Sequence, residues 1–442
     1  MADNKNAIRV QLKRQIGLKG AVLLGLGSII GTGVFVSTGL VAGVAGPAAL
    51  VAVFLAGLLA LCNAFSSAQL AANYPTSGGS FEFGYRVIAG PVGFTAGWMF
   101  VIAKSASAAT AALGAGGYLL GFFPGVQGEW GIPVAIVMIL VVTGIVINGI
   151  RSSNRVNFVL VAISLASLGF FVLAGIPVWA EKGWTHFIPF WGFEHSSLTD
   201  VISGILHATA LMFVAYTGYG RVATLGEEIV EPKKNLPKAI QITLGLTIVI
   251  YAVVLFIAIS AVGHQALYDA ARGDSATLVT AAREFGVAGS EIYLAIGAVT
   301  AMFGVLLNLV LGLSRMVLAM SRRGHFPKVF RKINASGTTP VPAVALTAVI
   351  VMGLTLLGDV YVTWSLSAFT VLVYYGITNW AAAWLTDEQR MYPRIWAWAG
   401  LIGCFFLAFW VDSDFWLWGL GLITIGLMWY GMTAEEFKDR RR

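Results

Sequence analysis

Twelve long, predominantly apolar stretches recur along this chain, at 17–41, 46–73, 91–123, 131–149, 155–180, 197–229, 237–263, 286–320, 341–357, 360–385, 395–411 and 414–432. The hydrocarbon core of a bilayer is about 30 Å thick and takes about 20 apolar residues per helix. Backbone in lipid must satisfy its own hydrogen bonds, which restricts spanning segments to helices and closed barrels. The pattern reads as an all-α membrane protein with about 12 transmembrane helices. Several stretches exceed the minimum, so tilt, breaks or extensions beyond the lipid are expected. Composition agrees, with 58% hydrophobic and only 11% charged residues in 442, against about 25% charged in soluble domains. The longest connectors, near 75–90 and 264–285, read as short amphipathic helices, and no separate soluble domain fits.

A net charge of +7 raises the question of an anionic partner, and the placement of the charges answers it. Of the 28 Lys and Arg residues, Lys104 and Arg221 fall deep inside spans, and Lys182, Arg272 and Arg283 fall on one side. All the others fall on the opposite side, spread over many connectors. This is the positive-inside bias, not a nucleic-acid patch, and it predicts both termini in the cytoplasm of a multi-pass protein in a cytoplasmic-type membrane. The first twenty residues are polar and basic, and no cleavable leader is expected. Cys62 and Cys404 sit in apolar runs and read as small buried hydrophobes. His207, inside the sixth span, reads as a satisfied core histidine ahead of a proton relay. The sequence has no GxxxxGK[ST], HExxH or Cys/His cluster, so no enzyme activity, metal or cofactor is expected.

Two spans carry signs of interruption. Span 1 contains Gly25-Leu26-Gly27-Ser28-Ile29-Ile30-Gly31-Thr32-Gly33-Val34-Phe35. Each Gly in a helix interior costs nearly 1 kcal/mol relative to Ala. Close helix packing is one reading of these glycines, and unwinding near the bilayer midplane is the other. Span 6 contains Val214-Ala215-Tyr216-Thr217-Gly218-Tyr219-Gly220-Arg221. It lies five spans after span 1, the placement expected of an inverted-repeat transporter. Unwound backbone at both places would set a half-helix N-terminus, suited to a carboxylate, beside free carbonyls, suited to an ammonium. The Thr32 and Gly33 amides would form the anion side. Carbonyls near Ile29, Val214 and Thr217 would form the cation side.

The run Gly27–Phe35 resembles the G-x-I-[IM]-G-[ST]-G-[VI]-F signature of the amino acid–polyamine–organocation superfamily. Further matches follow in order. They are Tyr74-Pro75-Thr76-Ser77-Gly78-Gly79-Ser80, Phe213 to Tyr219 followed by Glu227-Glu228-Ile229-Val230-Glu231-Pro232, and Ser321-Arg322-Arg323-Gly324-His325-Phe326-Pro327. The resemblance implies a five-plus-five inverted-repeat core plus two peripheral helices, alternating access, and amino-acid or amine substrates. It implies an organisation of 1–16 as a tail, 17–180 as the first repeat, 197–385 as the second, 395–432 as peripheral helices and 433–442 as a basic tail. It also implies that Thr32 and Gly33 hold a substrate carboxylate and that Ile29, Val214 and Thr217 accept from its amine. Val214 stands where relatives often carry a gating aromatic, with Phe213 and Tyr216 beside it.

The candidate substrate-binding set is Ser28, Ile29, Gly31, Thr32, Gly33, Lys104, Ala108, Val214, Ala215, Thr217 and Gly218. Gate or coupling candidates are Phe213, Tyr216, Arg221, Glu227, Glu228 and Ser164. Lys104, a cation at mid-span, must face protein or water. It either makes a structural pairing or lines the pocket, where it would repel cationic substrates and could carry a proton. Arg221 reads as a structural or gate ion pair with Glu227 or Glu228. Ser164 stands where several proton-coupled relatives carry Lys. Residues 300–304 lack the hydroxyls of a full sodium cage, so proton coupling or exchange is favoured over sodium. The expected function is secondary transport of a small amino-acid-like solute, neutral or acidic in preference to cationic. The rivals are a same-fold permease for another small organic or inorganic ion, and a channel or non-transporting sensor. Lipid is the expected surrounding partner, and the oligomeric state is open.

Overall fold

The computed structural model describes residues 16–74, 78–121, 123, 127–148, 154–191, 197–220, 229–273, 276–334 and 339–439. Its helices, in chain order, are α1 (Leu18–Ile29), α2 (Thr32–Phe35), α3 (Ser37–Ala45), α4 (Ala49–Asn73), α5 (Ser80–Val87), α6 (Gly90–Leu120), α7 (Gln127–Ile147) and α8 (Asn154–Lys182). They continue with α9 (Leu198–Tyr216), α10 (Pro232–Arg272), α11 (Thr277–Ala282), α12 (Ser290–Arg322), α13 (Val341–Thr355), α14 (Val360–Ala383), α15 (Arg394–Ala408) and α16 (Ser413–Asp439). Among the described residues there is no strand, only an isolated parallel bridge between Ile16 and Ile229.

Among the described residues, each apolar stretch of the sequence is largely helical. Nine segments of the described residues are long and apolar enough to cross a membrane, and α1, α13 and α15 are shorter apolar helices. One of the nine, Ser37–Asn73, spans both α3 and α4, which a tight turn at Gly46–Ala48 separates. Span 1 is thus built of α1, α2 and α3. Both amphipathic connectors are present. The first is α5. The second is the end of α10 beyond Gly263, where the helix turns (φ 78°, ψ 167°), together with α11.

Helices α6 and α14 form the centre, with 89% of each apolar window buried against other helices. Lipid supplies no hydrophobic drive between helices, so close approach of small residues has to hold them. Accordingly α6 carries a buried run of small residues from Ser105 to Ala112 and packs on α12 and α14. The stretch of α10 after Gly263 sits on α3. A Cβ at Gly39 would lie 2.5 Å from the Leu267 carbonyl, and one at Gly43 would lie 2.0 Å from the Tyr268 ring. Arg272 then pairs with Asp359 at 2.9 Å, at the start of α14. Helices α15 and α16 lie at the periphery against α14, α4 and α6, with Ile395, Ile402, Trp418 and Met428 exposed. Cys62 and Cys404 are buried and free.

A polar knot ties α5 to the end of α12. Arg323 donates from Nε and Nη2 to the two carboxylate oxygens of Glu82 at 2.7 and 2.8 Å, and Arg86 Nε adds a third bond at 3.0 Å. The Arg323 guanidinium lies 4.2 Å from the Tyr85 ring centroid. Burial opposes the charge of Glu82, but the bonds from Arg323 and Arg86 outweigh it and hold the carboxyl below the usual carboxylate range. His325 packs against Phe94 at 4.9 Å between ring centroids, and its backbone oxygen accepts from Trp429 of α16 at 2.7 Å. Burial, aided by the nearby Arg323 charge, lowers the imidazole from its ordinary 6.5 to about 4.

Two stability predictions follow from this knot. His325 is neutral when folded, so between pH 6.5 and about 4 the unfolded chain binds a proton that the folded protein does not. Its contribution is complete above pH 6.5 and is lost as the pH falls through that window, by on the order of 2 kcal/mol. The unfolding midpoint in detergent should drop on acidification, and His325→Asn should flatten most of that slope. Glu82→Gln leaves Arg323 without its anion and should cost about 2–4 kcal/mol near neutral pH, measured as a lower midpoint at unchanged expression.

Candidate functional site

The first helix breaks as its glycines predict. Helix α1 ends at Ile29, Ile30 and Gly31 are extended, and α2 starts at Thr32. The new start leaves the Thr32 and Gly33 amides without acceptors inside the helix. The Thr32 hydroxyl is buried with no hydrogen-bond partner. Ser28 is not open in the same way, because its hydroxyl donates back to the Leu24 carbonyl at 2.9 Å.

The second interruption is milder. Helix α9 ends at Tyr216 and tightens into a 3-10 turn, Thr217–Tyr219, which packs on α1. Arg221, Glu227 and Glu228 lie outside the described residues. The two interruptions touch through their glycines. A Cβ at Gly218 would lie 1.9 Å from the Ser28 carbonyl oxygen, and one at Gly33 would lie 2.6 Å from the Ala215 Cβ. Only Gly permits backbones to approach this closely.

The cation-side carbonyls differ from expectation. Ile29, Val214 and Thr217 were expected to present open carbonyls, yet each accepts a hydrogen bond within the protein. Tyr251 of α10 donates its hydroxyl toward the Ile29 carbonyl at 3.0 Å and lies 3.2 Å from that of Ala215. The Thr217 hydroxyl donates to the Val214 carbonyl at 2.8 Å. Tyr375 of α14 donates to the Thr217 carbonyl at 3.3 Å. The reason is that buried carbonyls away from water must be paired, and these hydroxyls supply the donors. A phenol carries one proton, so Tyr251 serves two carbonyls with a single donor.

Lys104 reaches this place from α6. It is 8% exposed, and Nζ donates to the Thr217 hydroxyl at 2.8 Å. Ala108, one turn further along α6, is fully buried. Phe213 lies edge-on to Tyr375 at 5.8 Å. Tyr216 turns away, its hydroxyl donating to the Val53 carbonyl of α4 at 3.0 Å. Ser164 shares a cavity of ≈ 10 Å³ with Ile30 of the α1 break, Gly27, Leu160, Val161, Ala301 and Gly304. That is about the room for one water, and among these side chains only Ser164 carries an oxygen. His207 meets Asp412 at 3.5 Å through Nδ1.

Helices long and apolar enough to cross a membrane, packed around two touching helix interruptions, suit a multi-pass membrane permease. The sequence comparisons agree, and the chain belongs to the amino acid permease family, which it matches over residues 20–428. It is 35% identical over 427 residues to an uncharacterized transporter of Mycobacterium tuberculosis, covering 96% of this chain and 92% of that one. It is 29% identical over 360 residues to a methylthioribose transporter of Bacillus subtilis (78% and 75%). It is 30% identical over 351 residues to a branched-chain amino acid permease of the same organism (75% and 72%). Plant relatives with less identity to the chain than the mycobacterial protein include cationic amino acid transporters. The family is one of transporters, not enzymes.

Sequence reading missed Tyr251 and Tyr375. The signal available was that an intramembrane phenol must find an acceptor, and unwound carbonyls are the acceptors at hand. Tyr251→Phe removes the donor shared by Ile29 and Ala215, worth about 1–2 kcal/mol, and should weaken solute binding roughly tenfold. Gly218→Ala drives the interruptions apart and should reduce uptake at least tenfold in protein that still reaches the membrane at normal levels.

Proposed function

We propose that this permease is a secondary transporter or exchanger of amino acids, neutral or acidic in preference to cationic. Solute binds where the breaks of α1 and α9 meet. The observation that carries this reading is the contact of Gly218 with the Ser28 carbonyl oxygen, where interrupted backbone from two spans converges. Unwound backbone deep in an apolar bundle is tolerated where it lines a cavity or is buried in protein. Amides at the start of α2 suit the solute carboxylate. The Ile29 and Ala215 carbonyls, served by one Tyr251 proton, suit an ammonium with several donors. Lys104 at the same place disfavours a second positive charge. Alternating rearrangement around the site opens it to either side.

The same reading places the protein in the cell membrane with both termini cytoplasmic, on the distribution of Lys and Arg. It favours proton coupling or exchange over sodium, because the Ser164 cavity offers a single side-chain oxygen. A second reading, a same-fold permease for another small solute, draws on the methylthioribose transporter among the relatives.

Uptake and counterflow in proteoliposomes test both readings, with a panel of neutral, acidic and basic amino acids and methylthioribose, at pH 5.5 and 7.5, with and without sodium. Neutral or acidic amino acids should exchange without sodium. Flux of methylthioribose alone would favour the second reading, and conductance without counterflow would exclude both.

A further inference from the structure

Among the described residues, Glu82 and Lys104 are the buried carboxylate and ammonium. Glu82 is neutralised where it stands by two arginines, and even the half-exposed Lys182 has Glu284 at 2.9 Å. Lys104 differs. It is more than nine-tenths buried, and among the described residues no carboxylate forms an ion pair with it. Its contacts are the neutral Thr217 hydroxyl at 2.8 Å and the Tyr374 ring, whose centroid is 6.0 Å away. An ammonium carries three N–H donors, and Thr217 takes one. The neighbouring Ser105 hydroxyl is also buried without a partner. A cation taken out of water with no counter-charge costs several kcal/mol. An anion brought in by a ligand would remove that cost.

We infer that Lys104 is a specificity-determining residue that receives an anionic side chain, so that the preferred solute is a short dicarboxylic amino acid. The inference rests on the transporter reading above and narrows it. The α-carboxylate is assigned to the α2 amides, which leaves Lys104 for a second acid. Scale agrees with this division. Gly33 packs against Ala215, and Thr217, which Lys104 bonds, follows two residues later, so the two anion-accepting ends belong to one site. The Thr217 hydroxyl occupies Lys104 until the solute carboxylate displaces it. Because that hydroxyl also bonds Val214, arrival of the anion is felt at the end of α9.

The test is competition binding to the purified full-length protein with L-glutamate, L-glutamine, L-leucine and L-lysine. Wild type should bind L-glutamate at least tenfold more tightly than L-leucine and should reject L-lysine. Lys104→Met should lose at least tenfold for L-glutamate and keep L-leucine within threefold, whereas Lys104→Arg should retain the glutamate preference. Lys104→Gln, which keeps a neutral donor for Thr217 but no charge, should lose the glutamate preference as well, and it carries the test if Lys104→Met does not fold. Wild type binding L-leucine or L-lysine as tightly as L-glutamate overturns the inference and leaves the transporter reading intact. So does an unchanged ratio in Lys104→Met or Lys104→Gln. Binding of none of the four, with no flux, overturns both.

Discussion

In lipid, a peptide group without a hydrogen-bond partner costs several kcal/mol, and the centre of this bundle is organised around that constraint. Helix α1 stops at Ile29 and α9 stops at Tyr216, so both expose backbone where no water is free to answer. The answer comes from neighbouring hydroxyls on α10 and α14, and from the turn of α9 itself. A gap in the helical ladder is stable here because Tyr251, Tyr375 and Thr217 substitute for the missing amide donors. On the proposed reading, a solute's own donors would take the place of these hydroxyls.

Charge placement repeats the same logic at longer range. The arginine-clasped Glu82 is a closed set in which each charge answers another, and it holds α5 and α12 together. Lys104 is an open set in the middle of the apolar bundle, answered by one neutral hydroxyl. Closed sets confer stability and open ones confer selectivity, because only the open set gains from a partner supplied from outside.

The spans were legible in the sequence because lipid tolerates few alternatives to a long apolar helix. The break in α1 was legible because Gly25, Gly27, Gly31 and Gly33 crowd into nine residues. The α9 interruption was legible in position more than in shape, since a 3-10 turn leaves no composition of its own. Lys104 stood out as a charge in an apolar run, but its partner could not be read, because Thr217 meets it only through tertiary packing. Tyr251 and Tyr375 were hidden for the same reason. Each sits in an ordinary apolar helix, and its role is set by carbonyls on other spans. Ser28 stands in the same motif, but its hydroxyl bonds its own helix, which the sequence alone does not show.

The seating of α10 on α3 has a mechanical consequence. With Gly39 and Gly43 leaving no space beneath Leu267 and Tyr268, the two segments cannot slide past each other and must travel as one plate. The plate is jointed at Gly263, where α10 turns, and pinned at its far end by Arg272 on Asp359. Any tilt of α3 would therefore carry Leu267 and the Tyr268 ring with it and pull on the Arg272–Asp359 pin.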